Sequence, residues 1–159
     1  MAWAPLAALG KGQPAVRATV DEWQLDACPH HGPGMALAST GGYHAVWFGM
    51  RKGEAAVRYG RLTEHGAPQG PVRSLPDERA EHADVAASGR KVAIVWRSYD
   101  GERTRVRAWV SADDGASFVV RELMSSPLDN DHPRLVANGP DNFVVWRTER
   151  DIHVRKIAW

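Results

Sequence analysis

The residues best suited to chemistry cluster early in the chain. In "ACPHHGPGMALAS", Ala27 to Ser39, Cys28 lies beside His30 and His31, directly ahead of an apolar run. A thiolate with one or two imidazoles suits a borderline or soft metal, zinc or copper. The spacing is not that of a zinc finger, however, and a proline follows the cysteine directly. Two other readings stand beside the metal. The imidazoles can serve as acid–base or hydrogen-bonding groups toward a polar ligand. Alternatively, each histidine bonds neighbouring backbone while Cys28 fills a small apolar gap. Histidines recur downstream, His82 in "EHADV" and His132 in "DHPRL", close to Asp84, Asp131 and Arg134. Their recurrence favours a structural role, because catalytic residues are usually unique.

A repeat positions these residues. Three segments align: "HAVWFGMRKGEAAVRYG" from His44, "AIVWRSYDGERTRVRAW" from Ala93 and "FVVWRTERDIHVRKIAW" from Phe143. Trp47, Trp96 and Trp146 mark a period of about fifty residues, and Val-Arg pairs follow at Val57, Val106 and Val154. Arg97 and Arg147 directly follow the second and third of these tryptophans. Upstream of each lies another strand-like run, "GMALAST", "DVAASGR" or "RLVANGP", joined to it by Gly-rich hairpin chemistry. Runs such as "VAIVW" and "FVVW" are rich in β-branched and aromatic residues, too short for helices, and apolar on both faces. Such a strand is covered on both sides, as when one small sheet stacks on the next. Fourth strands follow in "GPVRSL" and "SFVVREL". Four antiparallel strands per repeat predict an all-β fold of propeller blades, with a β-sandwich as the competing reading.

Between the third and fourth strands of the second repeat sits "SADDGASF", Ser111 to Phe118. Ser111 and Asp113 can bond turn amides, Gly115 tolerates positive φ, and Phe118 plugs into the sheet. The pattern Ser-x-Asp-x-Gly-x-x-aromatic resembles the Asp box of the sialidase-like BNR-repeat propellers. The first repeat keeps a worn version, "LTEHGAPQ", with Glu64 and Gly66 in the Asp and Gly places. The resemblance implies a six-bladed ring, a structural rather than catalytic Asp113, and a carbohydrate-related role. Active members grip a carboxylate with three arginines and use Tyr, Glu and Asp. The Arg-Ile-Pro signature is absent here, and Tyr99 with Glu102 sits in an ordinary-looking turn, so no catalytic residue is carried over. "ACPHHGP" is similar to a segment of exported bacterial members, which implies a bacterial source and an extracytoplasmic location.

Three repeats are half of such a ring. The expected organisation is one unit over 1–159: an orphan outer strand at 14–26, then repeats at 27–75, 76–123 and 124–159, the last lacking its fourth strand. "PAVRATVDEWQLDA" precedes the first histidines as "PVRSLPDERAEHA" precedes His82, hence its reading as a fourth strand. Two arrangements follow: the remainder of a longer chain, or a homodimer closing six blades. First strands line a propeller's centre, so His30, His31, His82 and His132 are expected to gather at one rim with Asp84, Asp131, Arg97 and Arg147.

Composition excludes some partners. The 159 residues carry a net charge of +1, with acids and bases mixed and no basic tract for nucleic acid. No apolar run reaches the ~18 residues of a membrane helix. "MAWAPLAALGKGQ" lacks the basic start of a signal peptide, and one cysteine permits no internal disulfide. The expected function is binding of a carbohydrate, small polar ligand or protein at the His-lined rim. An exo-sialidase-type hydrolase and a zinc- or copper-binding propeller are the alternatives.

Overall fold

A computed structural model describes residues 1–6, 10–12, 14–22 and 32–159. The chain opens with a two-stranded ribbon, β1 (Ala2–Trp3) against β2 (Val16–Arg17). Blade 1 is an antiparallel meander of β3 (Gly34–Leu37), β4 (Tyr43–Arg51), β5 (Glu54–Leu62) and β6 (Pro68–Ser74). Blade 2 repeats it with β7 (Glu81–Ser88), β8 (Lys91–Tyr99), β9 (Thr104–Ser111) and β10 (Val119–Ser126). Blade 3 has β11 (Arg134–Asn138), β12 (Asp141–Arg147) and β13 (Ile152–Lys156).

The strands form where the apolar runs dictate. Val92 to Trp96 of β8 are fully buried on both faces, because blade 1 covers one side and blade 3 the other. Turn chemistry sets the registers. Lys52 and Gly53 both take positive φ in the two-residue loop between Arg51 and Glu54, the primed geometry that matches strand twist. The first strands pack side by side, β3 on β7 and β7 on β11, so they form the inner edge of the stack.

Each repeat tryptophan faces the preceding element. Trp96 packs among Val46, Val57 and Tyr59 of blade 1, Trp146 joins Val95 and Val106 of blade 2, and Trp47 meets Ala18. Its indole N–H finds an acceptor in the segment leading into its own blade. These acceptors are the Asp21 carboxylate for Trp47, the Asp77 carboxylate for Trp96 at 3.0 Å and the Asp131 carbonyl for Trp146 at 3.0 Å. Arg107 adds a second donor to Asp77 at 2.7 Å. Burial alone would raise the Asp77 pKa, but hydrogen bonds from Trp96, Ser98, the Arg79 amide and Arg107 outweigh it and hold the pKa down.

Three expectations need correction. The strand expected at 14–26 is described only as far as Glu22, and it has local partners rather than standing alone: Val16–Arg17 pairs with Ala2–Trp3, and Glu22 bridges Met50 of β4. The ribbon lies on β4 and β5 of blade 1, where Met1, Trp3 and Ala18 pack on Ala45, Trp47 and Leu62. The second repeat ends later than residue 123, because β10 pairs with β9 through Ser126 after a bulge near Leu123. His82 lies inside β7 rather than ahead of it.

Candidate functional site

The inner end of the junction between blades 2 and 3 gathers most of the predicted polar residues. β7 begins with a bulge between Glu81 and Asp84, and His82 within it takes a φ of 51°. A bulge of this kind re-aims a side chain at a strand's rim. Here it lays the His82 ring on that of His132, which stands two residues ahead of β11. The ring centroids are 3.5 Å apart and the planes 13° from parallel. Glu81 Oε2 lies 3.7 Å from His82 Nε2. Arg97 ties the cluster together, donating from Nε to Glu81 at 3.0 Å and from Nη1 to the Asn130 carbonyl at 2.8 Å.

The electrostatics favour neutral imidazole against ionised carboxylate. Burial, reinforced by the Arg97 guanidinium, lowers the His132 pKa despite the nearby Asp131. The Asp131 pKa is lowered chiefly by the backbone N–H of His132, which donates to Oδ1 at 2.8 Å. Beside this cluster opens a cleft of about 260 Å³ lined by Asp129, Asn130, Asp131, Arg147, Thr148 and Glu149. The two arginines therefore differ in role. Arg97 is engaged within the junction, while Arg147 lines the open cleft.

Asp84 does not face a ligand space. Its Oδ1 accepts the Val85 amide and its Oδ2 the Leu135 amide, each at 2.9 Å, so it straps β7 to β11. A Cβ on Gly34 of β3 would stand 3.1 Å from Asp84 Oδ1, which explains a glycine there. Cys28, His30 and His31 lie outside the described residues. Among the described residues, no group of three or more His, Cys, Asp or Glu side chains could hold a metal ion.

The turn from Ser111 to Phe118 forms a second polar centre, at the junction of blades 1 and 2. Ser111 Oγ accepts the Gly115 amide at 2.9 Å, and Asp113 accepts the Ser117 amide at 2.9 Å and its hydroxyl at 2.6 Å. These bonds, the Ser117 hydroxyl first, hold the Asp113 carboxyl well below the usual range. Gly115 has a φ of 84°, and a Cβ there would overlap the Tyr59 hydroxyl. Phe118 stacks on Trp109 at 4.6 Å and meets Tyr59 edge-on at 5.1 Å.

The residue that clasps the neighbouring blade is Asp114, one place beyond the aspartate that the motif singles out. It accepts from Ser39 at 2.9 Å, from Thr40 and Arg61 at 2.8 Å each, and faces His44 Nε2 at 3.3 Å. Fully buried His44 is bonded in turn to the Tyr59 hydroxyl at 2.9 Å. Desolvation pushes the Tyr59 pKa up to about 12 and lowers that of His44, with Arg61 adding to the latter. Desolvation also works against an ionised Asp114, yet bonds from Thr40, Arg61 and Ser39 prevail and hold its carboxyl well below the usual range.

No protein-family model matches the chain, and no curated protein matches it. Two solved structures are similar in fold. One is an α-L-arabinofuranosidase (CtGH43) from Clostridium thermocellum ATCC 27405, with a TM-score of 0.53 and 15% identity, covering 80% of this chain and 48% of that one. The other is a GH43 endo-arabinanase from Bacillus licheniformis, with a TM-score of 0.52 and 12% identity, covering 80% of this chain and 53% of that one. Both are β-propellers. This chain is built of β-propeller blades. It spans about half the length of the structures it matches.

Glu81, Asn130, Asp114 and His44 are site or junction residues that sequence reasoning missed. His44 carried a usable signal, a histidine inside an apolar strand run, which must find a buried partner. Glu81 and Asn130 carried none, since acidic and amide residues ahead of a strand are ordinary turn chemistry.

Proposed function

We propose that the protein binds saccharides at the inner rim of blades 2 and 3. The observation that carries this reading is an open cleft lined by Asp131, Arg147 and Glu149, whose Asn130–Asp131 wall is held from behind by Arg97 beside the stacked His82 and His132. Saccharide hydroxyls both donate and accept, and are recognised by a few fixed polar groups in a concave site. A neutral imidazole does both, an ionised carboxylate accepts and a guanidinium donates. The solved structures of similar fold are named as an α-L-arabinofuranosidase and an endo-arabinanase, so arabino-oligosaccharides are the first ligand class to test on this chain. The Ser111–Phe118 turn and the repeat support a sialidase-like ancestry for the blades. The rim is a binding rather than a hydrolytic site: Arg97, which an exo-sialidase reading would need for a substrate carboxylate, is tied to Glu81 and Asn130.

Isothermal titration with linear arabino-oligosaccharides and, in parallel, sialyllactose tests the proposal. Arabino-oligosaccharide binding that weakens at least tenfold in Arg147→Ala, with no new reducing ends released, is the expected result. Absence of saccharide binding, or binding unchanged in Arg147→Ala, overturns it. Release of sialic acid would restore the hydrolase reading.

A further inference from the structure

We infer that a second copy of this chain packs its blade 3 against blade 1 of the first, inside the β1–β2 ribbon, and that two copies close one ring. The repeat itself shows what blade 3 lacks. Val57, Val106 and Val154 occupy the same place in successive blades. The first two are 3% and 0% exposed because the next blade covers them, whereas Val154 is 63% exposed. Val136 and Ile152 share its face, through register with Phe143 and Arg147, and are 49% and 70% exposed. This face is therefore a blade-to-blade surface, continuous with the two interfaces already in the stack.

The opposite end shows the complementary lack. Among the described residues the ribbon packs on β4 and β5 of blade 1, at Ala45, Trp47 and Leu62. "PAVRATVDE" matches "PVRSLPDE", whose strand β6 is a fourth strand, and Asp21 caps Trp47 as Asp77 caps Trp96. β2 thus stands in a fourth-strand place, with no inner strands beside it among the described residues. Where those strands would lie, Met35 and Leu37 of β3 are 45% and 74% exposed. Among the described residues blade 3 has three strands, in the places of the first three strands of blades 1 and 2. Each end offers what the other is missing. β1 is two residues long, so yielding its pairing with β2 to an incoming β13 breaks few hydrogen bonds. Both junctions in such a pair are equivalent by twofold symmetry.

Arg147 lies on the same face as Val154, so the pairing and the proposed saccharide rim share that residue, and mass measured without saccharide tests the pairing alone. Its test is size-exclusion chromatography with light scattering on the full chain, whose mass is 17.5 kDa. The wild type is expected at twice that mass. Val154→Arg and Leu37→Arg each lower it twofold with the far-UV circular dichroism unchanged, while Val120→Arg on the blade periphery leaves it doubled. Val154→Ser and Leu37→Ser, expected to lower the mass at micromolar protein, replace any arginine variant that fails to fold. A wild type at single mass, or a doubled mass that survives substitution at either Val154 or Leu37, overturns the inference.

Discussion

Replacing Asp114 with asparagine isolates the charge of the clasp between blades 1 and 2. Asp114 sits at a φ of 61°, a left-handed conformation that asparagine tolerates, so the turn itself survives the change. The new carbonyl oxygen can keep the bonds from Ser39 and His44, which both reach Oδ1. The amide nitrogen then faces Arg61 Nη1, a donor against a donor, where 2.8 Å separated a guanidinium from a carboxylate. Losing one charge-assisted hydrogen bond at a mostly buried site costs about 2 kcal/mol. For a chain of this length that lowers Tm by roughly 4–8 °C. Urea denaturation of both proteins at pH 7 measures the difference. The sign of its pH dependence follows from linkage. The folded pKa of Asp114 lies below its unfolded value, so the stabilisation is complete above about pH 4 and fades as pH falls through the folded value. The gap between wild type and Asp114→Asn should therefore close in acid. A variant within about 0.5 kcal/mol of wild type at pH 7 would refute the clasp, since that is the scatter of ordinary surface substitutions.

The remaining predictions are shorter. Gly115→Ala meets both a positive φ and the Tyr59 hydroxyl, and should cost about 3 kcal/mol in denaturant melts. Gly89→Ala, with positive φ but open space, should cost only about 1 kcal/mol. His132 and His44 have folded pKa values below their unfolded ones, so stability is complete above about pH 6.5 and falls as pH drops toward 5. Thermal melts across that range should show a shallower loss in His132→Asn, and an unchanged slope would contradict the assigned shift. Tyr59→Phe should remove one phenolate absorbance step near pH 12 from an alkaline titration of the wild type.

Much of the architecture was legible because it is periodic. Trp47, Trp96 and Trp146 marked the blades, and the apolar runs around them could only be strands covered on both faces. The meeting of His82 with His132 also followed from the repeat, since equivalent positions on first strands come together at the inner edge. The details that failed are ones that periodicity does not carry. The bulge that takes His82 into β7 depends on a single left-handed residue. The pairing of Val16–Arg17 with Ala2–Trp3 joins segments on either side of a Gly/Lys-rich stretch, with only two residue pairs to signal it. Asp113 and Asp114 are adjacent and chemically identical, and only the direction of the turn makes one hold the turn and the other the next blade. Asp84 matched the expected place but straps two strands, because its carboxylate is within reach of the Leu135 amide.

The most direct test of the rim is to follow the imidazole Cε1 protons by NMR while an arabino-oligosaccharide is added. Assignment by His82→Gln and His132→Gln identifies the two resonances. Binding at the rim predicts that both shift together and saturate at the same saccharide concentration. Two resonances that stay in place at saturating saccharide, whatever moves elsewhere, would contradict the account.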